Sequence, residues 1–324
     1  MNNEKIKNNT SDEKKNINFV ILQNEYDKGI IVKNVKDFNI MQTLECGQCF
    51  HYEKIGEMEY VVVHKKSLLH IRQSGKDLYC KNITKEEFEN IWFHYFDLDR
   101  DYSMVKDMLL KADERLESAI RANDGVRILN QDFDETLMSF IISQNKQIPH
   151  IKKIVRDISE KYGDCLGGIN GVNYYAFPNK SQLQSVTEEN YRECKAGFRA
   201  PYLVDAAEKI CREEFESKNL KEDGYEKAKE RLMSIKGVGD KVANCVLLFS
   251  LGYRNAFPVD VWIKRIMESM YFGKSTDNKK IMEFAKEKFG VYGGYAQQYL
   301  FYYARENQLN NSMENKKSRK RQKK

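Results

Sequence analysis

Proline is scarce in this chain, with four in 324 residues. Together with abundant Lys, Asn, Ile and Tyr, this is the composition of an AT-rich coding sequence. No apolar run approaches the roughly 20 residues that a bilayer-spanning helix needs, which excludes a transmembrane helix of the usual kind. Met1 to Asn16 is polar, mixed in charge and without an apolar core, so no secretion is expected. Seven cysteines are scattered; an odd, unpatterned set fits a reducing cytoplasm better than a disulfide scaffold. Cys46-Gly-Gln-Cys49 has no second pair at zinc spacing, so no metal is expected there. Nor does the body of the chain carry net charge. The excess of +6 equals that of Asn310 to Lys324 alone, where seven Lys/Arg face one Glu. Contact of the folded body with a polyanion must therefore be a local patch. The tail, 310–324, reads as a disordered basic arm able to attract phosphates nonspecifically.

What is present suffices for a sizeable core: 41% hydrophobic and 12% aromatic residues, enough for two domains or one large one. From Phe19 to about Leu78 the chain has strand character. Val61-Val-Val63 and Leu68-Leu-His-Ile71 are short apolar runs bounded by Gly56-Glu57 and Ser74-Gly75. Thr84-Lys-Glu-Glu87 is a capping box opening a helix with Phe88, Ile91, Trp92 and Tyr95 on one face. Beyond it everything looks helical, over about 101–121, 132–143, 149–162, 187–195, 200–217, 223–234, 240–251, 261–271, 278–289 and 293–308. Pro149 and Pro201 suit first-turn positions. The fold class expected is α+β: a disordered start at 1–16, an antiparallel sheet domain with helices at 17–115, then a mainly helical region at 116–309.

The centre of the chain is Leu232 to Phe249 followed by Phe257-Pro-Val-Asp-Val-Trp262. Gly237 and Gly239 flank Val238, so the backbone can turn tightly and be approached closely. After Asp240 the apolar residues Val242, Cys245, Val246 and Phe249 recur with helical period. The segment reads as helix, hairpin, helix at 226–251, and a glycine hairpin feeding a helix offers backbone N–H groups to a phosphate. Lys241 sits in the first turn, where the dipole disfavours a cation by a few tenths to about 1 kcal/mol. Burial adds to this, so the neutral and nucleophilic amine is favoured. Asp260 starts the next helix after Pro258 has ended the preceding segment.

Ile-x-Gly-Val-Gly-x-Lys-x-Ala followed by Pro-Val-Asp resembles the helix-hairpin-helix, Gly/Pro-Asp superfamily of DNA glycosylases, and within it 8-oxoguanine DNA glycosylase/AP lyase. The resemblance covers roughly residues 20 to 307. It implies a small sheet domain before a helical glycosylase region. It also implies a bifunctional activity in which Lys241 attacks C1′ of a flipped-out purine nucleotide. The base is expelled, a Schiff base forms with the opened sugar, and loss of a C2′ proton eliminates the 3′ phosphate. Asp260 would stabilise charge on the sugar and orient the amine. No metal or cofactor is implied. The expected partner is duplex DNA containing 8-oxoguanine, met by a cytoplasmic, nucleoid-associated monomer. The absence of cysteine after Cys245 separates the chain from relatives with a four-cysteine iron–sulfur loop.

The resemblance also assigns recognition residues. Gly47, in Glu45-Cys-Gly-Gln-Cys-Phe-His51, would accept the N7–H that distinguishes 8-oxoguanine from guanine. One such bond discriminates by roughly 1–3 kcal/mol, so other checks must contribute. Cys245, Gln297 and Phe301 would line the base pocket, Gln297 at the Watson–Crick edge and Phe301 stacked on the ring. Asn145 would fill the gap left by the extruded base. Phe198 would wedge beside the estranged base and Arg199 would read it. Gly237, Val238 and Gly239 would hold the backbone. Two positions depart from the pattern: His150 replaces an arginine that reads the estranged cytosine, and Trp262 replaces a histidine near a phosphate. Two other functions share parts of these features. Glycosylases of alkylated purines usually lack the hairpin lysine, and a non-enzymatic hairpin module would require neither Asp260 nor a pocket helix.

Overall fold

The computed structural model describes residues 18–23 and 28–321; the start expected to be disordered, 1–16, lies outside them. Six strands form one antiparallel sheet: β1 (Asn18–Gln23), β2 (Lys28–Lys33), β3 (Tyr52–Gly56), β4 (Glu59–His64), β5 (Ser67–Ser74) and β6 (Asp77–Lys81). Their order is β1-β2-β6-β5-β4-β3. The apolar run of β4 is buried from Tyr60 to Val63, so both faces of the sheet are covered there. One face packs Tyr60, Val62, Leu69, Ile71 and Leu78 against Phe88, Trp92, Phe93 and Phe96.

The helix after Thr84 forms with its capping box, but Phe88–Trp92 is a π turn between two short α segments. The segments expected at 101–121 and 200–217 are each broken. Helices Tyr102–Ala112 and Glu117–Ala122 are separated by a 3-10 turn capped by Asp113. Ala200–Ile210 and Ser217–Glu222 are separated by another. Pro149 and Pro201 lie in first turns.

Two expectations are corrected. The region past residue 84 is not wholly helical, because β7 (Cys165–Ile169) and β8 (Val172–Tyr175) form a two-stranded hairpin. Asn170 and Gly171, with φ of 52° and 79°, make the left-handed pair that suits a two-residue hairpin turn. The tail does not begin as an irregular arm either: the last helix runs from Gly293 to Arg321. No Gly or Pro follows Gly294, the residues are mostly good helix formers, and a basic end complements the helix dipole. No helix of the described residues is long and apolar enough to cross a membrane.

The sheet is pinned to the helical body at one loop. After the short helix Ile40–Glu45, the buried Gln48 side chain donates to Thr43 O at 2.8 Å and Arg127 O at 2.7 Å. Its oxygen accepts from Leu129 N at 2.9 Å. These bonds fix the Cys46–Cys49 loop, and with it Gly47, at the junction.

Candidate active site

The hairpin lies between helices Tyr225–Met233 and Asp240–Phe249. Gly237 has φ +77°, and a Cβ there would stand 2.3 Å from the Tyr202 ring, so only glycine fits. Gly239 is the N-cap of the second helix, with no side-chain cap. The first-turn amides therefore keep no local side-chain acceptor, the condition for binding an anion. Val238 is buried and its amide donates to Ile235 O, so it supports the turn instead of offering an N–H.

Lys241 is partly buried. Its Nζ donates to Ser143 Oγ at 3.4 Å and sits 5.2 Å above the Phe140 ring. Phe140 is in turn stacked on Phe249. Cys245, one turn on, is buried, which pushes its thiol up to about 11 against the opposing pull of Lys241. It stays neutral and presents surface, not a nucleophile.

Asp260 caps helix Val261–Met267, its Oδ1 accepting from Trp262 N at 3.0 Å and Ile263 N at 2.9 Å. Burial raises its carboxyl above the ordinary value, although those N–H groups and Lys241 favour the charged form. Asp260 and Lys241 lie in each other's field without a direct ion pair. The amine is held by Ser143, and the carboxylate is aimed by its cap.

Gly47, with φ +87°, faces the last helix. A Cβ on it would meet Phe301 Cε1 and Arg305 Nη1 at 3.3 Å and Ile148 Cδ1 at 3.5 Å. Gln297, Phe301 and Arg305 recur at i, i+4 and i+8, one stripe of that helix. Gln297 is buried with Oε1 unpartnered. The structure thus brings Gly47 from the sheet region against the helix that carries Gln297 and Phe301.

Asn145 takes a left-handed φ of 51° and is exposed, as is His150 at the start of the following helix. Phe198 is 52% exposed. Arg199 differs from its expected placement. It is 3% exposed, and its guanidinium donates to the backbone oxygens of Gln144 and Ala196, beneath the Phe198 ring at 4.2 Å. Burial lowers its affinity for a proton, and its donors are committed inward.

Three residues escaped the reading of the sequence. Ser143 holds the amine. Gln144 is a hub: its carbonyl accepts from Arg199, and its side-chain amide donates to Gly237 O at 3.0 Å. One residue thereby ties the Asn145 turn, the Phe198 turn and the hairpin together. Arg305 borders Gly47. Ser143 and Gln144 adjoin Asn145 in sequence, but nothing local marks their partners. A cleft of about 870 Å³ lies elsewhere, between β3, β4, the helix Ile148–Tyr162 and β8, away from Lys241.

Residues 30–137 match the model of the 8-oxoguanine DNA glycosylase N-terminal domain. Residues 138–290 match that of the HhH-GPD superfamily of base excision DNA repair proteins. A probable N-glycosylase/DNA lyase of Methanothermobacter thermautotrophicus is 30% identical over 69% of this chain and 76% of its own length. The N-glycosylase/DNA lyase of Saccharomyces cerevisiae is 28% identical over 85% and 86%. Among solved structures, the Clostridium acetobutylicum 8-oxoguanine glycosylase/lyase bound to double-stranded DNA with cytosine opposite 8-oxoguanine superposes with a TM-score of 0.84. It is 42% identical and covers 90% of this chain and 99% of that one. By sequence and fold alike, the chain belongs to the 8-oxoguanine DNA glycosylase/lyase family of the HhH-GPD superfamily.

Proposed function

We propose that this protein excises 8-oxoguanine from duplex DNA and nicks the resulting abasic site, with Lys241 as nucleophile and Asp260 as its electrostatic partner. One observation carries the reading. A lysine amine in the first turn of the hairpin helix stands in the field of a partly buried carboxylate held by its own helix cap.

A flipped nucleotide presents C1′ to the amine. The Nζ lone pair forms the C–N bond as the C1′–N9 pair leaves with the base, which takes a proton. The sugar ring opens to an iminium. Removal of a C2′ proton then expels the 3′ phosphate, and water releases the enzyme. Asp260, denied strong solvation, stabilises the cationic sugar more than it would in water. Its two cap bonds, both accepted by Oδ1, hold the carboxylate in place. Gly47, Cys245, Gln297 and Phe301 hold the base. Asn145, His150, Phe198 and the hairpin glycines hold the duplex, with the protein acting as a monomer.

Borohydride reduction during incubation with an 8-oxoguanine duplex is the test. A covalent protein–DNA adduct that disappears in Lys241→Gln is expected. Base release with no adduct would point to a monofunctional glycosylase, and neither product to a DNA-binding module.

A further inference from the structure

Among the described residues, the last helix holds four buried polar atoms that lack a hydrogen-bond partner, the hydroxyls of Tyr295 and Tyr299 and two atoms on the Phe301 stripe. Of the two on the stripe, one is an acceptor, Gln297 Oε1; the other is a charged donor, Arg305 Nη1. Phe301 lies between them in the stripe. The other arm of Arg305 is occupied, since Nη2 donates to Glu45 O at 2.6 Å. That bond ties the helix to the loop carrying Gly47, and Gln298 Nε2 reinforces it through Cys46 O at 3.4 Å. Nη1 is spare, and it reaches within 3.3 Å of where a Gly47 side chain would begin.

Resting on the reading of Gly47 and Gln297 above, we infer that Arg305 is a specificity-determining residue that donates Nη1 to the O8 carbonyl of the flipped lesion. The spacing supports this. Eight helical residues span about 12 Å, and with side-chain reach from both ends this brackets a purine stacked on Phe301. If Gln297 meets the N1–H and N2–H groups of the six-membered ring, Arg305 stands at the five-membered ring. There Gly47 meets N7–H, and O8 is the adjacent acceptor. Guanine has C8–H at that place, so it would leave Nη1 without an acceptor while Nη2 keeps Glu45 O and Glu306, and a bond from a charged donor is worth more than a neutral one. Arg305 would thus supply a second lesion-specific check beside Gly47, on the atom that defines the lesion.

The experiment uses full-length Lys241→Gln, which binds without turnover, with and without Arg305→Met. Dissociation constants are measured on duplexes carrying 8-oxoguanine, 8-oxoadenine or a tetrahydrofuran abasic analogue. 8-Oxoadenine keeps O8 and N7–H but has an amino group in place of O6. The expected result is a loss of about 10- to 100-fold, the size of a hydrogen bond to a charged group, on both oxidised bases and none on the abasic analogue. Loss on 8-oxoguanine alone would move the contact to O6 and overturn the O8 assignment. Equal loss on all three would make Arg305 only a strut, and no loss anywhere would also overturn the inference. Should Arg305→Met fail to fold, Arg305→Lys, with one ammonium for two acceptors, is judged by the same three outcomes. A Lys241→Gln protein with no preference for the 8-oxoguanine duplex over undamaged DNA would overturn lesion recognition itself. Preference intact but indifferent to Arg305 overturns this inference alone.

Discussion

The Lys241 amine donates to the hydroxyl of Ser143, a residue 98 positions earlier in the chain, and not to Asp260. The Ser143 hydroxyl also donates to Phe140 O at 2.7 Å, so its lone pairs are directed at the amine. The serine sets where the nucleophile waits. Ser143→Ala should lower single-turnover excision by about 3- to 10-fold, the worth of one neutral hydrogen bond, while borohydride trapping persists. An unchanged rate would mean that the amine is placed by packing on Phe140 alone.

Asp260→Asn should slow excision severely while the fold survives, because asparagine caps a helix nearly as well as aspartate. Thermal melting separates the two effects. The acid limb should also move. Burial raises the Asp260 carboxyl above its ordinary range, so the charged form that catalysis needs is lost as pH falls through that raised value, earlier than for an exposed aspartate. The same shift means that folding favours the protonated form: stability from this group is full below the unfolded pKa and is lost as pH rises through the folded one. Activity and stability should therefore have opposite pH slopes in this window, and both slopes should vanish in Asp260→Asn.

Gln144→Ala should cost about 1–3 kcal/mol, because it leaves the Gly237 carbonyl without its partner in a part-buried setting. Duplex affinity should fall as well, since the hairpin loses its side-chain tie to the Asn145 turn, while the backbone carbonyl that accepts from Arg199 stays. A melting curve with a duplex titration checks this. Full stability with intact affinity would remove Gln144 from its role as hub.

The base opposite the lesion should matter little. His150 stands where the resemblance implies an arginine, and a neutral imidazole offers one N–H. Arg199 is buried with its donors spent on Gln144 and Ala196, and Phe198 has no polar atom on its ring. Single-turnover excision on four duplexes differing in that base should show only a mild preference for cytosine, sharpened in His150→Arg. A wild-type preference of a hundredfold or more would mean that Arg199 leaves its carbonyls and reads the base.

Removing Asn310 to Lys324 deletes seven Lys/Arg. Duplex binding should weaken and its salt dependence flatten, with excision from the saturated complex unchanged. An identical salt slope would show that these charges do not meet phosphate.

Sequence alone determined what depends on near neighbours. The glycine hairpin, the first-turn position of Lys241 and the cap at Asp260 are properties of consecutive residues, where φ, the dipole and a side chain two or three positions away decide the conformation. The apolar runs of β4 and β5 and the capping box at Thr84 were legible for the same reason. Local patterns failed where local energies are nearly balanced. The Cys165–Tyr175 hairpin is short and glycine-rich, and the helical tail carries charges that suit either a helix or an irregular arm. Tertiary structure alone decided which distant groups pair. Ser143 on Lys241, Gln144 between Arg199 and Gly237, and Arg305 against Gly47 depend on helix packing that brings together residues far apart in the chain. It also turned Arg199 inward, because a buried carbonyl and a buried guanidinium satisfy each other better than either is satisfied alone.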